Sequence, residues 1–277
     1  MKKYVSLIMD IEKSRTYAVS DRINIQEYIL YCIEKLNELY EENIERKVTF
    51  SAGDELQGLF SDVTTAVMYF RLLDILVKPV KLRAGIGVGE WTIKIENGSS
   101  TYQDGPAYHK AREAIKQVYN NLLYSVKINS DQDDIMANQL VNAAKNLKDQ
   151  QIHMQNVVLN TWELLCPFIK TEMISKKYQL LLELLEYKYV NKIGRRNDAE
   201  DVKLNLSKFL IMEPIMIDGK NQEVDKYLFV KNIDTYISEI LSCSRQNINS
   251  ILRRGNSYKI RELDYVALQY IERMYRQ

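Results

Sequence analysis

The chain has 277 residues, of which 46% are hydrophobic and 27% are charged, and its formal net charge is +1. This composition is typical of a globular protein. The near-neutral charge excludes an overall bias toward nucleic acid or membranes, so any nucleic-acid site must be local. A chain of this length can form two domains.

The cysteines and the N-terminal residues indicate the cellular compartment of the protein. Cys32, Cys166 and Cys243 lie far apart, are odd in number and lack the paired spacing of a zinc site, which indicates a reduced, cytoplasmic setting. The basic and then apolar start resembles a signal peptide. Asp10, however, interrupts the apolar run after about half the length that a signal peptide or a membrane span needs. We therefore expect a cytoplasmic protein with no membrane partner.

The first elements predict a strand, a helix and a hairpin. Residues 4–11 (YVSLIMDI) form an apolar, β-branched run that is typical of a strand buried on both faces. Apolar side chains then recur every three or four residues over 21–42, which predicts a helix. Two short strands follow at 47–50 and 55–60, and Gly53 between them can adopt the positive φ of a tight turn.

The next elements complete a recognisable order. A second helix is predicted over 62–77, and a strand follows over 80–90 (VKLRAGIGVGE). We expect residues 91–95 (WTIKI) to pair with that strand or to extend the sheet. The resulting order, β-α-β-β-α-β, is the ferredoxin-like plan shared by many polymerase and cyclase palms. The predicted fold class is α+β, with this palm followed by a mostly α-helical part.

This order brings two acidic residues together. Strands one and three of such a plan are central antiparallel neighbours, so Asp10 at the end of the first lies beside Asp54 at the start of the third. Two adjacent carboxylates repel and raise each other's pKa unless a cation binds between them. Carboxylate oxygens suit Mg²⁺ or Mn²⁺. The backbone carbonyl of Ile11 is a further candidate ligand, and Glu55 is a weaker one.

An alternative interpretation needs no metal. Asp10 can simply end the strand in a turn, and Asp54 can be an ordinary hairpin residue, because Asp tolerates tight turns. For the pair in this topology we favour the metal site. Its remaining ligands would come from the phosphates of a nucleotide, and two ions could then activate a hydroxyl nucleophile and stabilise a leaving pyrophosphate.

Four motifs resemble one family. They are DIEKSR (10–15), GDELQG (53–58), GIGVGE (85–90) and DGPAYHKAREA (104–114). Their order and spacing resemble the SatD family, whose N-terminal part is similar to class III adenylate and guanylate cyclases and, more distantly, to GGDEF domains. The resemblance covers about the first 125 residues. It implies a nucleotide-binding palm over residues 1–128, in which Asp10 and Asp54 match the metal-binding aspartates.

The resemblance also implies a homodimer and a set of candidate residues. Class III cyclases work as dimers because each site takes residues from the second subunit. They carry an Asn-x-x-x-Arg pair after the glycine-rich strand. Here His109 occupies the Asn position counted from Gly105, and Arg112 follows three residues later instead of four. His109 and Arg112 are thus the candidate catalytic residues, at a spacing that departs from the cyclase pattern.

Several basic and polar residues are candidates for nucleotide contact. Lys110 lies near the start of a predicted helix, and Lys13, Ser14 and Arg15 lie in the turn after the first strand. Each can contact a triphosphate. The alternative is a solvated basic surface, and for His109 it is an ordinary structural histidine.

The second half is predicted to be mostly helical. Residues 129–190 form a helical connecting region, and residues 191–277 form a helical domain. Near the C-terminus a short helix over 236–241 ends at Ser-Cys-Ser, and Ser244 can cap a second helix that stops at Gly255. This arrangement is typical of a helix-turn-helix.

The second of these helices carries the residues expected to contact double-stranded DNA. Arg245, Gln246 and Asn249 lie at its start, where donors can reach base edges in a major groove. Arg253 and Arg254 can contact phosphates. The alternative is a helical bundle that serves for dimerisation or docking.

Two functions follow. The first is a metal-dependent, nucleotide-binding, cyclase-like protein that acts on or senses a nucleoside triphosphate and is coupled to a DNA-binding helix-turn-helix. The second is a non-catalytic DNA-binding transcriptional regulator that uses a degenerate cyclase palm for sensing or dimerisation.

Overall fold

The structure is a computed structural model that describes residues 2–14, 17–120, 123–171, 177–190, 203–220, 228 and 230–276. Its first half contains β1 (Tyr4–Ile11), α1 (Val19–Leu39), β2 (Ile44–Ala52), β3 (Glu55–Phe60), α2 (Val63–Leu76), β4 (Leu82–Gly89), α3 (Pro106–Asn120) and β5 (Val126–Asn129). The chain is a mixed α+β protein, as predicted.

The second half is mostly helical, as predicted. Its elements are α4 (Ile135–Asp149), α5 (His153–Leu165), β6 (Phe168–Ile169), α6 (Tyr178–Val190), β7 (Ile215–Met216), α7 (Ile233–Ile240), α8 (Arg245–Arg254) and α9 (Ser257–Met274). None of the helices in the described ranges is both long enough and apolar enough to cross a bilayer.

The main sheet has five strands in the order β2-β3-β1-β4-β5. Strand β1 is antiparallel to both β3 and β4, and β5 is parallel to β4. The predicted antiparallel pairing of the first and third strands at the centre of the sheet is therefore confirmed. Strand β5 adds an edge that the hydrophobic pattern did not predict.

The two faces of the sheet are covered by different helices. Leu7 and Met9 of β1 belong to the same buried cluster as residues of α1 and α2. Ile8, which points to the other face, packs against Ala111 and Ile115 of α3. Because strand side chains alternate between faces, Asp10 lies on the face that α3 covers.

Glycines on β4 let α3 approach closely. A Cβ atom on Gly87 would lie 2.2 Å from the carbonyl oxygen of Ala107, and one on Gly85 would lie 2.4 Å from that of Ala111. These distances are far below contact, so the α3 backbone rests directly on the strand. The close approach sets the height of α3 above the sheet, and with it the positions of the α3 side chains.

The segment after β4 differs from its prediction. Residues 91–95 were expected to form a strand, but only Ile93 forms an isolated bridge, to Asp104. The side-chain amide of Gln103 donates to the Ile95 carbonyl at 2.9 Å and accepts from the Ile95 amide at 2.9 Å. A side chain thus satisfies backbone groups that a neighbouring strand would otherwise bond.

Charged side chains connect helix α2 to the second half of the chain. Arg71 of α2 pairs with Glu163 of α5 and, at 2.6 Å, with Asp264 of α9. Arg261 of α9 pairs with the same Glu163 at 2.7 Å. All four side chains are buried. One hydrophobic cluster also includes residues of β1, α2, α5 and α9, so the two halves share a core.

The predicted pair of C-terminal helices is present as α7 and α8. The Ser244 hydroxyl accepts a hydrogen bond from the Asn247 amide at 3.2 Å, so it caps α8 as expected. Gly255 follows the last helical residue. Ile248 and Leu252 of α8 are buried, which leaves the opposite side of this helix exposed.

Candidate functional site

A cleft lies at the edge of the sheet where β1 ends and β3 begins. Its volume is about 430 Å³, and it is lined by Asp10, Ile11, Lys13, Ser14, Asp54, Glu55 and Tyr119. Six of these seven residues were selected from the sequence as candidate metal or nucleotide contacts. The structure therefore brings together the residues of the β1 turn and of the β2–β3 hairpin.

The strand register explains this convergence. Asp10 pairs across the sheet with Glu55 of β3 on one side and with Arg83 of β4 on the other. Directly opposed residues of antiparallel strands share a face, so Asp10 and Glu55 both lie on the face covered by α3. Asp54 lies in the preceding turn, which Gly53 closes with a φ of 63°. This positive φ confirms the predicted role of Gly53.

Each carboxylate of the cleft has a partner from a different element. The Tyr119 hydroxyl of α3 donates to Asp10. The Ser14 hydroxyl donates to Asp54. Glu55 accepts from Arg112 of α3. In the same strand pair, the Ser51 hydroxyl donates to Glu55 at 2.8 Å.

The electrostatics of the cleft disfavour ionised Asp10. Burial raises the pKa of the Asp10 carboxyl to about 6, and repulsion from the Asp54 carboxylate adds to the increase. The Tyr119 hydrogen bond and the positive charge of Arg83 oppose it only in part. Burial also raises the pKa of the Tyr119 phenol, with Asp10 as the next cause. Nearby positive charge therefore does not fully compensate the Asp10 carboxylate.

We expect Asp10→Asn to stabilise the protein at neutral pH in the absence of divalent cations. The pKa of Asp10 is higher in the folded state than its ordinary value of 3.8. Ionisation therefore costs more in the folded chain, and the free energy of unfolding falls as the pH rises from about 4 through about 6. Because Asp10 is half-buried and screened by solvent, we expect a gain of about 1 kcal/mol at pH 7.5.

Urea denaturation in EDTA at pH 4.5 and pH 7.5 measures this effect. The advantage of Asp10→Asn should be present at the higher pH and small at the lower one. Asp21→Asn, at an exposed position of α1, is the control. Equal stability of Asp10→Asn and wild type at pH 7.5 would show that the charge of Asp10 does not destabilise the folded chain.

The donors of the cleft fit a hard divalent cation. They are carboxylate oxygens, a hydroxyl and nearby backbone carbonyls, the ligand types that Mg²⁺ and Mn²⁺ prefer. Within the described residues, no group of three or more His, Cys, Asp or Glu side chains could hold a metal ion. Both carboxylate oxygens of Glu55 already accept hydrogen bonds, one from Ser51 and the other from Arg112. A cation held by Asp10 and Asp54 would thus need oxygens from water or from a ligand.

The structure does not bring every candidate residue to the cleft. His109 is exposed, and its Nε2 lies 2.9 Å from the Asp104 carboxylate. Lys110 lies 2.6 Å from Asp131. Both are near the start of α3, which lies over the end of β4 at Gly89, whereas Asp10 pairs with the beginning of β4. Arg15 lies outside the described residues.

A second cavity adjoins the cleft. Its volume is about 250 Å³, and it is lined by Ile11, Ser14, Tyr17, Arg22, Ile25, Gln26, Gly53 and Asp54. It lies between the start of α1, the turn after β1 and the tip of the β2–β3 hairpin. The side chains from α1 were not selected from the sequence.

Tyr119 is the principal cleft residue that the sequence analysis missed. Arg112 and Tyr119 are seven residues apart on α3, which places them on one face of the helix. Arg83 further supports Tyr119, because its guanidinium lies 5.7 Å from the centre of the Tyr119 ring. The seven-residue spacing from Arg112 was the available signal.

The candidate DNA-binding residues all lie on α8. Arg245 pairs with Asp234 of α7 at 2.8 Å, and Asn249 donates to the same carboxylate at 3.4 Å. These two contacts fix the start of α8 against α7. The remaining three, Gln246, Arg253 and Arg254, are exposed.

The comparisons with known proteins place most of the chain in one group. The model of the SatD family matches residues 4–212, about three quarters of the chain. The match includes every residue of the cleft and of the second cavity and ends before α7. No curated protein matches the chain.

Proposed function

The chain belongs to the SatD family, and we propose that it is a metal-dependent, nucleotide-binding protein with a cyclase-like palm. In this proposal the palm acts on or senses a nucleoside triphosphate. Mg²⁺ or Mn²⁺ is the cofactor, and the protein works as a homodimer. The central position of β1 between β3 and β4 supports the palm assignment, because that strand order is expected of the β-α-β-β-α-β plan.

One observation carries the proposal. Asp10 and Asp54, from separate segments, line the same half-buried cleft, where burial and mutual repulsion raise the pKa of Asp10. Such an arrangement is unfavourable for the free protein and becomes favourable when a cation binds. Residues that destabilise a fold in this way often belong to a ligand-binding or catalytic site.

The chain's own residues have distinct tasks in this proposal. Asp10 and Asp54 would hold the cation, which when bound offsets negative charge on the carboxylates and phosphates. Lys13 and Ser14, at the wall of the cleft, would contact the triphosphate. Tyr119 would orient the carboxylate of Asp10 through its hydrogen bond. Arg112, the arginine of α3, would have to leave Glu55 to reach a phosphate.

The reaction of a cyclase-like palm would be an intramolecular phosphoryl transfer. The 3′ oxygen of the nucleotide would form a bond to the α-phosphorus, and the bond from that phosphorus to the bridging oxygen would break. Pyrophosphate leaves with the electron pair of the broken bond, and the 3′ proton passes to solvent.

Product analysis tests the catalytic form of the proposal. The full chain is incubated with each of the four common ribonucleoside triphosphates and Mn²⁺, and the products are separated by chromatography. A cyclic nucleotide and pyrophosphate from any of them are the expected result. Binding without product would favour the non-catalytic alternative, and the absence of both would refute the nucleotide assignment.

The non-catalytic alternative has support of its own. His109 and Lys110 pair with Asp104 and Asp131 rather than lining the cleft, and Arg112 is bound to Glu55. A palm that has lost the catalytic pair can still bind a nucleotide and signal its presence. In that case the protein is a DNA-binding transcriptional regulator whose palm serves for sensing or dimerisation.

Both forms of the proposal include a DNA-binding helix-turn-helix at α7 and α8. The exposed arginines at the end of α8 support it, as does the Ser244 cap. We expect the double variant Arg253→Ala, Arg254→Ala to bind duplex DNA more weakly at all sequences. The slope of log K against log salt should fall by about 2, since two phosphate contacts are lost.

Titration of labelled duplex at several salt concentrations measures this slope. The control is Lys47→Ala, which removes an exposed charge on β2. An unchanged affinity and slope in the arginine variant would leave α7 and α8 as a bundle for dimerisation or docking.

A further inference from the structure

The two cavities at the edge of the sheet adjoin each other. They share three lining residues, namely Ile11, Ser14 and Asp54. Ligand sites commonly have volumes of about 300 to 1,000 Å³, and the second cavity at about 250 Å³ is too small to be such a site alone. Together with the cleft it is large enough for one small ligand with two chemically different ends.

The two ends of this region differ in character. The cleft is lined by three carboxylates and by Lys13, so it suits a cation and the anionic part of a ligand. The second cavity has walls of Ile11 and Ile25, which are 3% and 4% exposed, and the half-buried ring of Tyr17. Such walls suit a flat, apolar group. A nucleotide combines these two ends, with phosphates at one and a base at the other.

Arg22 is positioned at the rim of the second cavity. It lies in the first turn of α1 and is the one cation among the described residues that line this cavity. No acidic side chain in the described part of the chain pairs with its guanidinium. One turn further, the Gln26 amide donates to the Gly53 carbonyl at 3.1 Å and ties α1 to the tip of the hairpin. Arg22 thus lines a cavity that is bounded by the joined ends of α1 and the hairpin.

On the basis of the proposed function, we propose that the second cavity is the base subsite and that Arg22 selects a guanine base there. A guanidinium offers only donors, two of them side by side. Guanine presents two adjacent acceptors, O6 and N7, which match such a pair, whereas adenine presents a donor beside N7. Arg22 therefore favours guanine, with Ile11, Ile25 and Tyr17 enclosing the ring.

Equilibrium binding of GTP and ATP to the full chain with Mn²⁺ tests this assignment. We expect wild type to bind GTP roughly tenfold or more tightly than ATP, the discrimination typical of a bidentate base contact. In Arg22→Ala the GTP affinity should fall to that for ATP, and the ATP affinity should change little. Arg22 is exposed, so the substitution leaves the core intact. Arg276→Ala, at the exposed end of the chain, is the matched control.

The possible outcomes separate the subsite from the proposed function. Binding of both triphosphates without a preference for GTP would overturn the guanine subsite and leave the proposed function standing. An equal loss of GTP and ATP affinity in Arg22→Ala would assign Arg22 to the phosphates and overturn its role at the base. Failure of every triphosphate to bind would overturn the proposed function, and the subsite with it.

Discussion

Asp54→Asn is expected to abolish Mn²⁺-dependent nucleotide binding, with a loss of affinity of more than roughly 100-fold, because even the partners of metal ligands contribute about 10- to 100-fold. Asn removes the negative charge that would hold the cation beside Asp10. It keeps an oxygen that can accept the Ser14 hydrogen bond. The loss should therefore come from the missing charge and not from a rearranged hairpin.

Calorimetric titration of a nucleoside triphosphate, with Mn²⁺ and then with EDTA, measures the effect. Asp133→Asn, an exposed position just before α4, provides an isosteric control far along the chain. Circular dichroism should show that Asp54→Asn folds like the wild type. If the variant binds nucleotide as tightly as the wild type, and still only with Mn²⁺, then the cation is held elsewhere, Asp10 simply ends its strand and Asp54 is an ordinary hairpin residue.

Strand order was predictable because it follows from local patterns and short connections. The apolar runs of β1 and β4, the helices between them and the tight turn at Gly53 each have a signature of a few residues. Once the β-α-β-β-α-β order is known, few arrangements of the sheet remain. The meeting of Asp10 with Asp54 is a consequence of that order, which is why two distant carboxylates could be paired from the sequence.

The contacts made by α3 were not predictable in the same way. They depend on how closely the helix approaches β4, and Gly85 and Gly87 set that distance through tertiary packing. Counting residues from Gly105 selected His109, but α3 begins at Pro106 and places His109 over the far end of the sheet. The same geometry places Tyr119 at the cleft, fourteen residues along the chain from Gly105.

The packing of the two halves of the chain against each other could also not be predicted from the sequence. The ion pairs of Arg71 join residues that are 92 or more positions apart, and no local pattern indicates such partners. A charged residue in a predicted helix is usually expected to lie on the solvent-exposed face. Here α2 is covered on all sides because α5 and α9 pack against it, so its arginine must find its partners in the second half.

Glu163→Gln is expected to lower the free energy of unfolding by about 3 to 5 kcal/mol, the range for removing one partner of a buried ion pair. Burial alone raises the pKa of the Glu163 carboxyl, but Arg261 and Arg71 outweigh it and lower the pKa overall, so the group is ionised. Without this charge, the buried cations Arg71 and Lys148 still pair with Asp264, but Arg261 loses the carboxylate with which it pairs. Uncompensated positive charge in the core is the source of the loss.

Urea denaturation followed by fluorescence and by far-UV circular dichroism measures this loss at pH 7. Glu239→Gln, at an exposed position of α7, should change stability by less than about 0.5 kcal/mol. Because Glu163 connects α2 with α5 and α9, the two signals should shift together in a single transition. A loss confined to a separate transition, with the first half of the chain unaffected, would mean that the halves unfold independently and that the five-stranded sheet does not depend on the C-terminal helices for its stability.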